Sequence, residues 1–194
     1  MNLPRHAVLL IVDVQTGFEN EAHWGPRNNP NAEKNIARIL QAFRDAGRPV
    51  IFIQHMSQEP SSPLRASEPG NAIHPLVAPK GERVFQKTVH SAWINTPLER
   101  TLRAAAQDTL VVCGLTTDHC VSTTTRMGAD MGFNIYLVDD ACACHDRKTR
   151  DGRTIPAAQV HEAELAALHN EFATVTTTNA ILEAVSTVTS QHAG

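Results

Sequence analysis

Val111-Val112-Cys113-Gly114-Leu115-Thr116-Thr117-Asp118-His119-Cys120-Val121 is the stretch on which the fold turns. Its apolar run stops at a glycine, passes through small polar residues and resumes as a helix-like segment from Cys120. A run of that kind reads as a strand buried on both faces, followed by a tight turn into a helix. The pattern puts a thiol at the end of the strand and in the first turn of the helix. Free N–H groups and the helix macrodipole favour an anion there, which predicts a stabilised thiolate. Most cysteines in soluble proteins are small buried hydrophobes, so Cys120 needs partners elsewhere before it signifies chemistry.

Working outward, Ala7–Val12 is another continuous apolar run and ends at Asp13. Ala32–Ala46 has helical spacing, with Ile36, Ile39, Leu40 and Phe43 on one face and Gly47 as its stop. Val50–Gln54 and Val84–Lys87 read as strands. Thr96-Pro97-Leu98-Glu99 has the form of a helix start leading to about Ala106. Thr109–Cys113 is the strand of the opening stretch and Cys120–Met131 its helix. Asn134–Val138, a helix over Ile155–Asn170, a strand at Phe172–Val175 and a helix over Ala180–Val188 complete the alternation. Such alternation predicts an α/β fold, a three-layer α/β/α, Rossmann-like arrangement with a mostly parallel sheet and helices on both faces. Residues 1–194 are read as one domain. Right-handed crossovers then gather Asp13, Lys87 and the Gly114–Cys120 turn at the carboxyl ends of the strands. Met56–Gly81 carries five of the 11 prolines and no lasting periodicity, so it is a long loop of the kind that is usually functional.

Composition narrows the class. The 194 residues are 42% hydrophobic and 19% charged, ordinary for a globular protein. A net charge of −3 without a basic run argues against a nucleic-acid partner. No apolar stretch is long enough to span a bilayer, and the run after Met1-Asn2-Leu3-Pro4-Arg5-His6 is too short for a signal peptide. Four cysteines without a secretory signal predict reduced thiols and a cytoplasmic location.

Three motifs share one resemblance. Leu10-Ile11-Val12-Asp13-Val14-Gln15-Thr16-Gly17-Phe18 resembles the first-strand motif of the isochorismatase-like cysteine hydrolase superfamily. Lys87-Thr88-Val89-His90-Ser91-Ala92-Trp93 is similar to its Lys-x-x-x-Ser-Ala-Phe segment, with Trp where Phe is common. Gly114–Val121 resembles its nucleophile turn. The resemblance implies a triad of Asp13, Lys87 and Cys120 and covers nearly the whole chain. In relatives a non-proline cis peptide lies in the turn. It maps to Leu115–Thr116 and would aim the N–H groups of Thr116 and Cys120 at an oxyanion.

The chemistry of the three residue types agrees with that implication. A thiol near pKa ~8.5 is mostly protonated at neutral pH, and a lysine ammonium with a helix N-terminus is expected to lower that value. An aspartate within reach can take the thiol proton and return it to a leaving amine. Taken singly, Asp13 is as readily a strand-end cap and Lys87 a surface lysine. Phe18, Trp24 and Trp93 are candidate aromatic walls, Trp24 being closer to plain packing. Gln15 and His55 are candidate substrate contacts, although an ordinary turn hydrogen bond equally suits Gln15. His119 precedes the nucleophile, but position alone does not make it a base. Nicotinamidases of the superfamily bind a metal through an Asp-x-His and a further His. Gln54-His55-Met56-Ser57 and Ile73-His74-Pro75 lack that pattern, so no metal and no cofactor are expected. Cys142-Ala143-Cys144-His145 lacks structural zinc spacing and is read as a surface or interface turn.

The leading function is hydrolysis of a small-molecule amide, ureido or related C–N bond through a thioester. The alternatives are an isochorismatase-type vinyl-ether hydrolase and a non-catalytic scaffold on the same fold. The resemblance also implies a homo-oligomer.

Overall fold

The computed structural model describes residues 3–190. Met1, Asn2 and residues 191–194 of the predicted domain lie outside the described residues. In chain order the elements are β1 (Val8–Val12), α1 (Glu21–Trp24), α2 (Ala32–Asp45), β2 (Val50–His55), β3 (Arg83–Lys87), α3 (Leu98–Ala104) and β4 (Thr109–Leu115). There follow α4 (Ser122–Asp130), β5 (Asn134–Ala143), β6 (Arg147–Lys148), β7 (Thr154–Ile155), α5 (Ala157–Leu168), β8 (Thr174–Thr176) and α6 (Thr178–Ser190).

The six expected strands form one sheet in the order β3-β2-β1-β4-β5-β8, and every pair in it is parallel. β1 and β4 are central and buried along their whole length, which is why their sequences are continuous apolar runs. Alternate residues serve opposite layers. Leu9 and Ile11 of β1 and Val111 of β4 pack with Ile36, Ile39, Leu40 and Phe43 of α2 and with Ile181 and Val185 of α6. Val8, Leu10 and Val12 point the other way, into a cluster with Leu98 and Leu102 of α3, Val121, Phe133 and Leu168. Thr96 serves the start of α3 as its sequence suggests, its Oγ1 accepting from the Leu98 amide at 3.3 Å.

Gly114 ends the β4 run because β1 touches it. Its φ is +133°, and a Cβ there would lie 2.0 Å from the carbonyl oxygen of Val12. Gly17 and Gly70 meet in the same backbone-to-backbone way, which seats the Thr16–Glu19 turn against Pro69–Asn71 of the long loop.

The structure departs from expectation in three places. β5 runs on to Ala143, and its pairing with β4 jumps from Val112↔Leu137 to Gly114↔Cys142. Asn29 Nδ2 donates to the carbonyls of Asp140 and Cys142, at 2.9 and 2.8 Å, and holds that irregularity. Asp140 Oδ1 in turn accepts from the Thr178 amide and hydroxyl and starts α6. Second, Cys142–His145 is not a surface turn. All four residues are buried, because they close over the Phe18–Trp24 segment, where His145 stacks. Third, α4 begins at Ser122, and Thr117–Val121 winds as a separate π-helical turn. No helix among the described residues is long and apolar enough to cross a membrane.

Candidate active site

Asp13, Lys87 and Cys120 come from the ends of β1 and β3 and from the turn after β4. Parallel order brings these ends to one edge of the sheet. Asp13 holds a left-handed φ of 51°, a conformation Asp tolerates better than most residues. Lys87 lies between the other two. Its Nζ is 2.6 Å from Asp13 Oδ2 and 3.2 Å from Cys120 Sγ. It also reaches the Val89 carbonyl at 3.0 Å and His55 Nδ1 at 3.3 Å. The Asp13 and Lys87 side chains are wholly buried, and Cys120 is 6% exposed.

The electrostatics correct one expectation. The Cys120 thiol is raised above its ordinary pKa, not lowered. Burial is the main cause, the Asp13 charge adds to it, and Lys87 offsets only a fraction. Asp13 is raised too, again by burial, with Lys87 opposing. Burial thus disfavours the thiolate and raises the basicity of the carboxyl beside it. Asp13 Oδ2 faces the Lys87 ammonium, and Oδ1 has no other partner among the described residues, which leaves acceptor capacity for the thiol proton.

Asp13, His55 and Cys120 offer ligand atoms within 4.8 Å of one another. The positive charge at their centre is the Lys87 ammonium, which contacts each of them. Burial, followed by the charges of Lys87 and His90, pushes the His55 pKa down to about 4 and keeps the ring neutral.

Gln15 and Trp93 are both buried. Gln15 is buried and spends its amide on the backbone. Nε2 donates to the carbonyls of His55 and Asn71, and Oε1 accepts from the His55 amide at 2.8 Å. It positions His55. Trp93 stacks on Phe133 with ring centroids 4.8 Å apart and donates from Nε1 to the Thr124 carbonyl. Gly128 leaves room for it, since a Cβ there would be 2.8 Å from its ring. The larger indole is thus absorbed by the core under α4. Phe18 is buried with Ala32, Leu64, Leu115 and Ala143, Leu115 being the last residue of β4 before the Cys120 turn. Trp24 packs on Phe18 and donates to the Gly17 carbonyl.

The turn that carries Cys120 is tethered by side chains that the sequence did not flag. The Leu115–Thr116 peptide is cis. Arg147 holds Asp118 with two hydrogen bonds, at 2.6 and 3.1 Å. Burial alone would raise Asp118, but Arg147 and the His119 charge outweigh it and hold the carboxyl low. Thr117 Oγ1 meets His161 Nδ1 at 2.8 Å, and Ser122 donates to Glu164, both partners lying on α5. His119 is exposed and turns toward Asp118 and His90. His90 is the neighbour that sequence reasoning missed. It is exposed, with Nδ1 3.6 Å from Cys120 Sγ, parallel to His55 and tilted against His119. Its place three residues after Lys87 was the one signal in the sequence.

A buried lysine joins a carboxylate to a thiol at the carboxyl edge of the parallel sheet. The chain belongs to the isochorismatase family, whose isochorismatase domain matches residues 7–180. It is 45% identical over 175 residues to the isochorismatase family protein YrdC of Bacillus subtilis, spanning 90% of this chain and 93% of that one. A streptothricin hydrolase of Streptomyces noursei is 33% identical over 84% of this chain and 65% of its own length. A ureidoacrylate amidohydrolase of Methylobacterium radiotolerans is 29% identical over 70% and 67%. A crystal structure of an isochorismatase-family protein from Chromobacterium violaceum superposes with a TM-score of 0.92 at 39% identity, covering 96% of this chain and 97% of that one.

Proposed function

We propose that this hydrolase cleaves a C–N bond of a small amide, ureido or related compound through a thioester on Cys120, without a metal. The observation that carries the reading is the single ammonium of Lys87 touching both Asp13 Oδ2 and Cys120 Sγ. Asp13 takes the thiol proton, and Lys87 stabilises the thiolate as it forms. Sulfur adds to the carbonyl carbon, and the carbonyl electrons move to oxygen, where the amides of Thr116 and Cys120 act as donors. Collapse expels the nitrogen, which leaves with the proton from Asp13. Water then opens the thioester. The amidohydrolase among the relatives supports C–N chemistry over vinyl-ether hydrolysis.

The assembly proposed is a homo-oligomer. Val89 and Ile94, in the segment after Lys87, are large apolar side chains left exposed, and a second copy would cover them.

Cys120→Ala removes the nucleophile and little volume. Screening against amides, carbamoyl compounds and lactams with ammonia detection should find turnover in the wild type and a loss above about 1,000-fold in the variant. Survival within about tenfold of the wild type, a barrier change near ~1.4 kcal/mol, would sink the thioester route.

A further inference from the structure

Asp13 and His90 meet the Cys120 sulfur from different environments. Asp13 is buried completely, with no exposed surface. His90 is open to solvent, with Nδ1 3.6 Å from the sulfur. The two halves of a thioester hydrolysis make unlike demands on a base. Acylation needs a base that reaches the thiol proton, and a buried carboxylate can supply it. Deacylation needs a base that reaches a water arriving from bulk solvent, after the acyl group has covered the sulfur. A side chain sealed beneath that sulfur is poorly placed for the second task, whereas one on its open side is well placed.

Resting on the thioester reading, we infer that His90 is a second catalytic base and activates the water that opens the acyl-enzyme. His90 Nδ1 accepts a proton from water as the hydroxyl oxygen bonds to the thioester carbon. The C–S bond then breaks, and its electron pair returns to sulfur next to the Lys87 ammonium. His90 gives its proton to that sulfur across the observed contact. The products are a carboxylic acid, a Cys120 thiol and neutral His90, so each proton and electron pair is accounted for. The ring lies between two other imidazoles. It lies parallel to His55, with centroids 6.3 Å apart and planes within 3°, and 5.5 Å from the His119 ring. His55, His119 and Cys120 face His90, with Lys87 and Asp13 behind the sulfur.

The test uses the whole protein with p-nitrophenyl acetate as probe, which acylates thiols and reports release of p-nitrophenol. In the wild type, peptide mapping should find acetyl-Cys120 and turnover should continue. In His90→Gln the initial burst should persist while the steady rate falls roughly 100-fold, within the range a general base supplies. Acetyl-Cys120 should accumulate. Added imidazole should restore deacylation in His90→Ala, which a merely structural role would not allow. Circular dichroism should match the wild type, since the replaced side chain is exposed. Acetylation of Cys120 with an unchanged steady rate in His90→Gln overturns the inference alone. Absence of acetyl-Cys120 from wild type and variants overturns the thioester reading, and the inference with it.

Discussion

At the residue scale, the Asp13–Lys87 pair is the strongest commitment in the molecule. Both side chains are withdrawn from water and stand 2.6 Å apart. Desolvating two charges costs several kcal/mol each, and their attraction returns this only while both are present. Lys87→Met should therefore do two things. It should abolish turnover, because the thiolate loses its counter-charge. It should also cost about 3–5 kcal/mol, because Asp13 is left as a buried unpaired carboxylate. The double variant Asp13→Asn, Lys87→Met removes both charges and should regain most of that stability while staying inactive. Urea denaturation separates the two effects, and additive losses in the double variant would contradict the pairing. The meeting of Asp13, Lys87 and Cys120 was legible in the sequence, because each lies at or just past the end of a strand and carries a local motif. His90 was not. An exposed histidine in a loop has no periodicity around it, and only the three-dimensional approach to the sulfur reveals it. The thiol's state was misread for a related reason. The charge of Lys87 can be inferred from sequence, but the depth of burial that outweighs it cannot.

At the scale of elements, the meeting of β1 and β4 sets where the Cys120 turn begins. Gly114 and Gly132 both have positive φ, +133° and +86°, so alanine is strained at either. Their surroundings differ. A Cβ at Gly132 meets nothing within 4 Å, while one at Gly114 meets the Val12 carbonyl at 2.0 Å. Gly132→Ala should cost about 1 kcal/mol, the conformational term alone. Gly114→Ala must push β1 and β4 apart and should cost more than about 4 kcal/mol or prevent folding. Similar midpoints for the two variants would show that the strands separate easily. The strand edges that define this contact were readable because central parallel strands must be apolar on both faces. The β6–β7 hairpin was not readable, since each of its strands is two residues long. So short a segment has no period to detect, and it acquires its purpose from a partner in space: Arg147 reaching Asp118. The irregularity in β5 was hidden in the same way, being held by Asn29 from a distant region of the chain.

At the scale of the whole molecule, stability should depend on pH through histidines that folding keeps neutral. His145 is buried against Phe18 and Trp24, and its Nε2 donates to the Phe18 carbonyl. Burial, with the charges of Arg27 and Arg147 added, pushes its pKa down to about 4, against the opposing hydrogen bond to Phe18. His55 is pushed the same way, also to about 4. In the unfolded chain each titrates near ~6.5. Between those values the unfolded state binds more protons, so stability is full above about pH 6.5 and falls as pH drops toward 4. One pKa unit corresponds to ~1.4 kcal/mol, which makes His145 alone responsible for a loss of up to about 3 kcal/mol. Asp13 has the opposite sign. Its raised pKa lets the folded state hold a proton more firmly, so it favours folding as pH falls through the carboxylate range. Glu82, which Arg44 holds near 2, adds its own loss only below the ordinary carboxylate values. Between about pH 6.5 and 4 the loss of stability comes from the histidines. His145→Gln keeps a donor for Phe18 but cannot titrate. Urea midpoints measured across that window should fall steeply for the wild type and more shallowly for the variant. Parallel pH dependence in the two proteins would show that His145 is protonated in the fold without cost.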